Sequence, residues 1–237
     1  MSLILYDLAG ADEARRFSPY CWRVRLAIEH KGKSVETVPW RFTDKDVIAF
    51  SGQGRVPVLV DGGAPIAGSW VITEHLERTY PDGPPLFGGT SGKAFARFIE
   101  SWTDTVLMPG LLPLIITDLF AHLHEKDREY FRASRERRLG VSLEKFGENR
   151  ERRLNGFRQS LEPLRTTLTQ QSFLGGNEPN HGDYLVFGGF MWARGVSPFR
   201  LLDPADPVAL WRTRMLDRFA IARNSPGYDT VSDGFAK

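Results

Sequence analysis

The segment Ser18-Pro19-Tyr20-Cys21 carries residue types that could do chemistry at a helix N-terminus. Serine is a favoured N-cap and proline suits the first helical position, so a helix is predicted to begin here. The unpaired N–H groups at such an end stabilise a nearby anion and lower the pKa of a thiol placed there. Serine is a poor nucleophile without an adjacent base, and no Gly-x-Ser-x-Gly elbow surrounds Ser18. We therefore expect its hydroxyl to donate a hydrogen bond to an external thiolate; an N-cap with no further role is the plainer alternative.

Cys21 is the single cysteine of the chain and lies where a Cys-x-x-Cys motif would have its second thiol. Because Ser18 replaces the first thiol, two-thiol exchange is not available to this segment. Its place on an inward helix position predicts that Cys21 fills the core. One cysteine cannot form an intramolecular disulfide, which favours a cytoplasmic location.

Two later elements could hold the rest of a ligand. Val56-Pro57 opens a predicted strand, and a cis bond there would leave the backbone N–H and C=O of Val56 free to pair with an extended peptide. An ordinary edge-strand proline is the alternative. Gly68-Ser69 precedes a predicted helix, whose start offers a hydroxyl and backbone N–H groups to a carboxylate, or a plain N-cap. Together with Ser18, these elements describe a site for an extended tripeptide with a thiol in the middle.

Short strands and helices alternate over the first eighty residues, in the order strand, helix, strand, helix, strand, strand, helix. A helical crossover between the early strands predicts parallel pairing, and the Gly62-Gly63 turn predicts an antiparallel hairpin at the edge. The predicted strands are Leu3–Tyr6, Val35–Val38, Val56–Val60 and Pro65–Ala67, and helices are predicted from Ser18 and Ser69.

Helical patterns alone follow the breaker-rich segment that begins at Pro81. We predict an α/β domain over residues 1–80, a linker over 81–90 and an all-α domain over 91–237. The predicted helical stretches are about Lys93–Leu107, Pro109–His124, Lys126–Leu139 and Asn149–Gln170, one from near Asn180, and one marked by Val208, Trp211, Met215 and Phe219.

The motifs in this order resemble the glutathione transferase superfamily. The residues that carry the resemblance are Ser18–Arg25, Gly54–Leu59, Gly68–Ile72 with Leu76, and Phe173–Gly176 leading to Asn180–Tyr184. The last of these resembles the core helix of that superfamily, with Asn180 and Asp183 as its capping box. The resemblance covers nearly the whole chain. It implies a thioredoxin-like first domain that binds glutathione and a helical domain that lines a pocket for a hydrophobic co-substrate. Ser18, Pro39–Thr43 and Gly68-Ser69-Trp70 resemble more narrowly the β-etherase-like branch. Bacterial members of that branch cleave lignin-type aryl ethers with glutathione, and fungal relatives bind aromatic compounds.

The resemblance implies roles for particular residues. Ser18 would be the catalytic residue that holds the glutathione sulfur as a thiolate. The rest of glutathione would be bound by Val56, Pro57, Gly68 and Ser69. The candidate partners of its glycine carboxylate are Arg41, Lys45 and Arg55. Each of these three could equally be a solvated surface residue. Leu107, Met108 and Leu111 would line the hydrophobic pocket, with plain core packing as the alternative. Members of the superfamily are usually dimers, so a homodimer is expected.

Gly68 departs from the pattern of the superfamily. Many members carry Asp or Glu immediately before the serine of this motif, where the carboxylate contacts the amino end of glutathione. A glycine removes that charge-assisted hydrogen bond, which is worth about 1.5–3 kcal/mol unless another carboxylate supplies it.

Three functions follow from these residues. The first is a glutathione transferase that activates the glutathione thiol for attack on a hydrophobic aromatic electrophile, with aryl ether cleavage as its narrower form. The second is a ligandin-type protein that binds aromatic compounds with little catalysis, which Gly68 favours. The third, redox thiol transfer through Cys21, is disfavoured by Ser18.

Other classes of function find little support. The formal net charge of the 237 residues is +2, and the basic runs Arg132–Arg138 and Arg150–Arg153 are interleaved with glutamates, which is typical of solvated helices rather than a nucleic-acid site. The five histidines lack metal-ligand spacing, so no metal is expected. The start of the chain has no signal-peptide pattern. The longest apolar stretch, around Leu111–Phe120, is interrupted and too short to span a bilayer, so no membrane association is expected.

Overall fold

The structure of the protein is a computed structural model, which describes residues 3–230. A four-stranded mixed sheet of order β2-β1-β3-β4 forms the centre of the first domain. Strand β1 (Leu3–Leu8) pairs in parallel with β2 (Val35–Trp40) and antiparallel with β3 (Val58–Asp61). Strand β4 (Ala64–Ala67) completes the hairpin with β3. The parallel crossover and the antiparallel edge are therefore confirmed, and the fold is thioredoxin-like.

Two helices flank this sheet. Helix α1 (Pro19–His30) connects β1 to β2, and α2 (Ser69–Thr79) follows β4. Cys21, Val24 and Ile28 on α1 are buried, as their helical spacing predicts. Between β2 and β3 the chain forms only a 3-10 helix, Asp46–Ser51, which ends at the left-handed Gly52 (φ 67°).

After β4 the elements of regular secondary structure are all helices, and within residues 3–230 no strand follows β4. The predicted all-α domain is thus observed up to residue 230, while residues 231–237 lie outside the described residues. Its helices are α3 (Thr90–Trp102), α4 (Met108–Ala121), α5 (Glu125–Leu139), α6 (Leu143–Gly147), α7 (Arg150–Ser160), α8 (Glu162–Leu168), α9 (His181–Val196), α10 (Pro207–Arg218) and α11 (Ala220–Arg223).

Helices α3 and α4 form one continuous rod rather than the two helices predicted. A π-helical turn, Thr103–Leu107, joins them, and Pro109, the second residue of α4, lacks a backbone donor. The rod spans 32 residues and is the one helix of the described residues that is long and apolar enough to cross a membrane. Its α4 part is largely buried against α6, α7 and α9, as in the core helix of a helical domain.

The predicted helix Asn149–Gln170 is divided in two at Leu161, because Pro163 lies in the first turn of a new helix, α8. The short helix α6 is an element that the sequence analysis did not predict.

Helix α9 is the buried centre of the helical domain, and its capping box is confirmed. The Asn180 side chain accepts a hydrogen bond from the Gly182 N–H (2.8 Å), and the Asp183 carboxylate accepts one from the Asn180 N–H (3.0 Å). Asp183 also accepts hydrogen bonds from the Leu174 N–H and the Trp211 indole, both at 2.8 Å. These four bonds fix the N-terminus of α9 in the core.

Close contact between α9 and α1 positions the N-terminus of α1. A Cβ added to Gly188 would lie 2.5 Å from the carbonyl oxygen of Pro19, so only glycine allows this approach. The first helical residue after Ser18 is thereby held against the core of the second domain.

Candidate glutathione and co-substrate site

Ser18 is the N-cap of α1, as predicted. Its hydroxyl oxygen accepts a hydrogen bond from the Cys21 N–H at 3.2 Å, and its carbonyl accepts one from the Trp22 N–H at 3.0 Å. Only 4% of the residue is exposed, yet Ser18 lines a cavity. Because the Cys21 bond uses only an oxygen lone pair, the hydroxyl proton remains able to donate into that cavity.

Cys21 lies beneath Ser18 and is fully buried, as its core assignment predicts. Burial raises the pKa of its thiol well above the usual value, and the neighbouring Asp7 carboxyl raises it further. A thiol in this state is not a nucleophile. The redox function considered for Cys21 thus has no support in its surroundings.

A cavity of about 570 Å³ opens in front of Ser18, between the first domain and the helical domain. This volume fits a drug-sized ligand. The side chains that α4 and α9 contribute to its wall include Met108, Leu112 and Trp192. The first domain contributes Ser18, Pro19, Tyr20, Lys45, Arg55 and Val56.

The Val56-Pro57 bond is cis, and Val56 lines the cavity. Its backbone N–H and C=O form no hydrogen bond within residues 3–230. The carbonyl of Pro57 accepts a hydrogen bond from the Gly68 N–H at 3.1 Å, so this turn is joined to the start of α2. Two of the elements found in the sequence are thereby brought together.

Gly68 and Ser69 form the start of α2 and lie outside the walls of the cavity. Gly68 is the N-cap and adopts φ 91°, a conformation that side chains rarely take. As a glycine it has no side chain to cap a backbone N–H, although its carbonyl accepts a hydrogen bond from the Ile72 N–H at 3.0 Å. The Ser69 hydroxyl has no hydrogen-bond partner among residues 3–230. The free N–H groups and the hydroxyl together form a local arrangement that can accept a carboxylate.

Only two of the three basic candidates reach the cavity. Lys45 lines it and donates to the Gly54 carbonyl at 2.6 Å. Arg55 lines it with an exposed side chain that has no ion-pair partner within residues 3–230. Arg41 instead pairs with Glu13 at 3.0 Å, away from the cavity.

Of the predicted hydrophobic pocket residues, Met108 lines the cavity, whereas Leu107 and Leu111 do not. Both leucines are fully buried and pack towards Gly189 of α9. The reason is the π turn before α4: its extra residue rotates the following helix, so the neighbouring residues Met108 and Leu112 face the cavity instead.

Several residues that line the cavity were not predicted from the sequence as site residues, among them Tyr20, Asp104, Arg135 and Arg138. Tyr20 lies within the motif itself, and burial raises the pKa of its phenol. Asp104 sits in the π turn, which no sequence pattern predicted. Arg135 and its neighbour Arg138 belong to the basic run assigned to solvent, yet both line the cavity, which corrects that assignment for one side of α5.

No metal centre was found in the part of the chain that the structure describes. Residues 3–230 contain no group of three or more His, Cys, Asp or Glu side chains that could hold a metal ion.

Comparison with known proteins identifies the family. Residues 14–85 match the glutathione S-transferase N-terminal domain, and residues 94–200 match the glutathione S-transferase C-terminal domain. Glutathione S-transferase Z2 of Arabidopsis thaliana is 32% identical over 109 residues, which are 44% of this chain and 47% of that protein, so the match spans about half of its length. Glutathione S-transferase U28 of the same plant is 21% identical over 221 residues, which are 90% of this chain and 87% of that protein.

A solved structure shares the fold across both domains. A glutathione S-transferase of Ceriporiopsis subvermispora, crystallised in complex with glutathione, superposes with a TM-score of 0.79 and 22% identity, covering 95% of this chain and 99% of that one. With both domain models matched in order along the sequence, the chain belongs to the glutathione S-transferase superfamily.

Proposed function

We propose that this protein is a glutathione transferase, which binds glutathione along its first domain and activates the thiol for attack on an aromatic electrophile. One observation carries the proposal: Ser18 is the N-cap of α1 and lines a cavity of about 570 Å³. The structural relative from C. subvermispora, which was solved with glutathione, supports this ligand.

The protein has a chemically complementary group for each part of glutathione. The free backbone N–H and C=O of Val56 suit the peptide backbone of the ligand. The N-terminus of α2 with Ser69 suits one carboxylate, and Lys45 or Arg55 suits the other. The thiol then lies at Ser18, where the hydroxyl and the helix end favour its anion.

The reaction begins when the thiol proton leaves to solvent and the thiolate forms. The thiolate attacks an electrophilic carbon of the co-substrate, forms a carbon–sulfur bond and displaces the leaving group with its electron pair. In the narrower form that we propose, the bond broken is the carbon–oxygen bond of an aryl ether, and the leaving phenolate takes up a proton from water. An aryl ether of a fluorescent phenol tests this form, since its cleavage releases fluorescence only when glutathione is present. Conjugation of activated aryl halides without ether cleavage would exclude it.

Isothermal titration with glutathione tests the proposal directly. We expect binding in the wild-type protein and weaker binding in Ser69→Ala. Ser142→Ala is the matched control, because Ser142 caps the N-terminus of α6 and does not itself line the cavity. Absence of glutathione binding in the wild type would overturn the proposal.

Gly68 supports a second candidate, a ligandin-type protein that binds aromatic compounds without conjugating them. The position before Ser69 carries no carboxylate, and the space around Gly68 is open. Tight binding of aromatic ligands together with undetectable conjugation would favour this candidate.

We also propose a cytoplasmic homodimer. Exposed apolar side chains on α2 and α3 support self-association: Val71 is 53% exposed, Phe95 42% and Phe98 66%. Sedimentation equilibrium tests this, and a monomer at micromolar concentration would contradict it.

A further inference from the structure

The cavity carries a surplus of positive charge. Four cationic side chains line it: Lys45, Arg55, Arg135 and Arg138. The single carboxylate among its described lining residues is Asp104, and that carboxylate is already paired with Arg23 at 2.6 Å. An uncharged co-substrate would leave this surplus without a partner.

Arginines of α5 differ in the side of the helix that they face. Arg132 faces solvent, where it pairs with Glu136 and Glu144, each at 2.8 Å. Arg135 and Arg138, one turn further and on the cavity side, form no ion pair within residues 3–230. The two arginines of the basic run that line the cavity therefore have no carboxylate partner within residues 3–230.

Arg135 is held in place by neutral groups. Its guanidinium lies 4.6 Å from the ring centroid of Phe131 and 5.3 Å from that of Phe42, and it donates to the Ser134 hydroxyl at 2.9 Å. Burial and the nearby Arg138 lower the pKa of Arg135, as expected for a cation without a counter-charge. A planar guanidinium beside aromatic rings suits a ligand that has both an anionic group and a ring.

We propose that the co-substrates of this cavity are aromatic compounds that carry an acidic group, a carboxylate or sulfonate, bound by Arg135 and Arg138. The ring of the ligand occupies the apolar part of the cavity beside Met108 and Phe42. The inference rests on the proposed function, because it leaves Lys45 and Arg55 to glutathione and assigns only the α5 pair to the co-substrate.

A pair of matched fluorescent probes tests the inference. 8-Anilinonaphthalene-1-sulfonate and N-phenyl-1-naphthylamine share the same rings and differ in the sulfonate. Each is titrated into the protein with and without saturating glutathione. We expect the sulfonate to bind about tenfold more tightly than the neutral probe, which corresponds to about 1.4 kcal/mol.

Three substitutions on α5 locate the effect. Arg138→Gln, at an exposed residue that is not needed for packing, should reduce the preference for the sulfonate about threefold, by the loss of one partly solvated charge contact. Arg135→Gln should reduce it further, and Arg135→Lys should restore part of it. Arg137→Gln is the control, because Arg137 is an exposed residue of the same helix that does not line the cavity.

Equal affinity for the two probes, no binding of either, or an equal loss in Arg137→Gln and Arg138→Gln would overturn the inference. The probes need no glutathione, so a failure of the glutathione titration alone leaves this result standing. Conversely, glutathione binding without any preference for the sulfonate removes this inference and leaves the proposed transferase intact.

Discussion

The guanidinium of Arg23 lies 2.6 Å from the carboxylate of Asp104 and joins the two domains at the wall of the cavity. Arg23 is fully buried on α1, and Asp104 projects from the π turn between α3 and α4. The same guanidinium lies 4.6 Å from the ring centroid of Tyr20. One buried cation thus holds both an acidic and an aromatic residue of the site.

Removing the Asp104 carboxylate should destabilise the protein. Asp104→Asn leaves the buried charge of Arg23 without its close partner, and we expect a loss of about 2–3 kcal/mol in the free energy of unfolding. Urea denaturation measures it. Glu148→Gln is the control, since it breaks an exposed ion pair with Lys145 (2.7 Å) and should cost below about 0.5 kcal/mol. Equal costs for the two variants would contradict the assigned role of Arg23.

Ser18→Ala should lower kcat for conjugation by about a hundredfold, because the thiolate loses its hydrogen-bond donor. The substitution also removes an N-cap, which costs about 1 kcal/mol of stability. Ser142→Ala separates the two effects: Ser142 accepts a hydrogen bond from the Lys145 N–H at 3.2 Å, as Ser18 does from the Cys21 N–H. Both variants should lose similar stability, and only Ser18→Ala should lose turnover. A similar fall in kcat in both would refute the role of Ser18.

Two substitutions at Gly68 measure what its glycine does. Gly68→Ala forces a side chain into φ 91° and should cost about 1–2 kcal/mol of stability. Gly68→Asp bears the same strain but restores a carboxylate beside Ser69. We expect Gly68→Asp to bind glutathione more tightly than Gly68→Ala in isothermal titration. If the two variants bind glutathione with equal affinity, a carboxylate at position 68 makes no contact with the amino end of glutathione, and the expectation is wrong.

His181 should make the protein less stable in acid. Its ring is fully buried beside Trp70, Phe87 and Tyr184, and burial lowers its pKa from 6.5 to about 3. Between these values the unfolded chain binds a proton that the folded chain does not, so stability is full above pH 6.5 and falls as the pH falls. The expected loss from this group is about 2 kcal/mol at pH 5.

Denaturation of wild type and His181→Phe over a range of pH isolates that loss. The free energy of unfolding should fall less steeply below pH 6.5 in the variant. A difference in packing would change the free energy of unfolding by the same amount at every pH, so the comparison at pH 7.5 measures it separately. Parallel curves for the two proteins would show that His181 does not contribute to the acid sensitivity.

Local patterns in the sequence predicted much of the fold. The N-caps Ser18 and Asn180, the Gly62-Gly63 turn and the apolar spacing of α1 depend on nearby residues, and each appears where it was expected. The π turn was not predictable in this way, because no propensity marks it. The π turn connects the two helices that were predicted separately, and Leu107 and Leu111 are buried in the core.

In the candidate site, too, residues in local motifs were predicted and residues placed by long-range packing were not. Ser18 and Val56 line the cavity, whereas the motif residues Gly68 and Ser69 lie outside its walls. Two of the three basic candidates, Lys45 and Arg55, also line it. Asp104 and Arg135 were missed because their places depend on contacts between elements far apart in sequence. Arg135 lies in the same charged stretch of sequence as the solvent-facing Arg132, and only the packing of α5 against the rest of the protein distinguishes them.

The central claim is that Ser18 and the N-terminus of α1 hold the sulfur of glutathione as a thiolate. The most direct measurement is the ultraviolet absorbance of the bound thiolate as a function of pH, in wild type and Ser18→Ala saturated with glutathione. The free thiol has an ordinary pKa of about 8.5. We expect a midpoint at least about one pH unit lower in the wild type and a return towards the free value in Ser18→Ala. A midpoint in the bound wild type equal to that of free glutathione would contradict it.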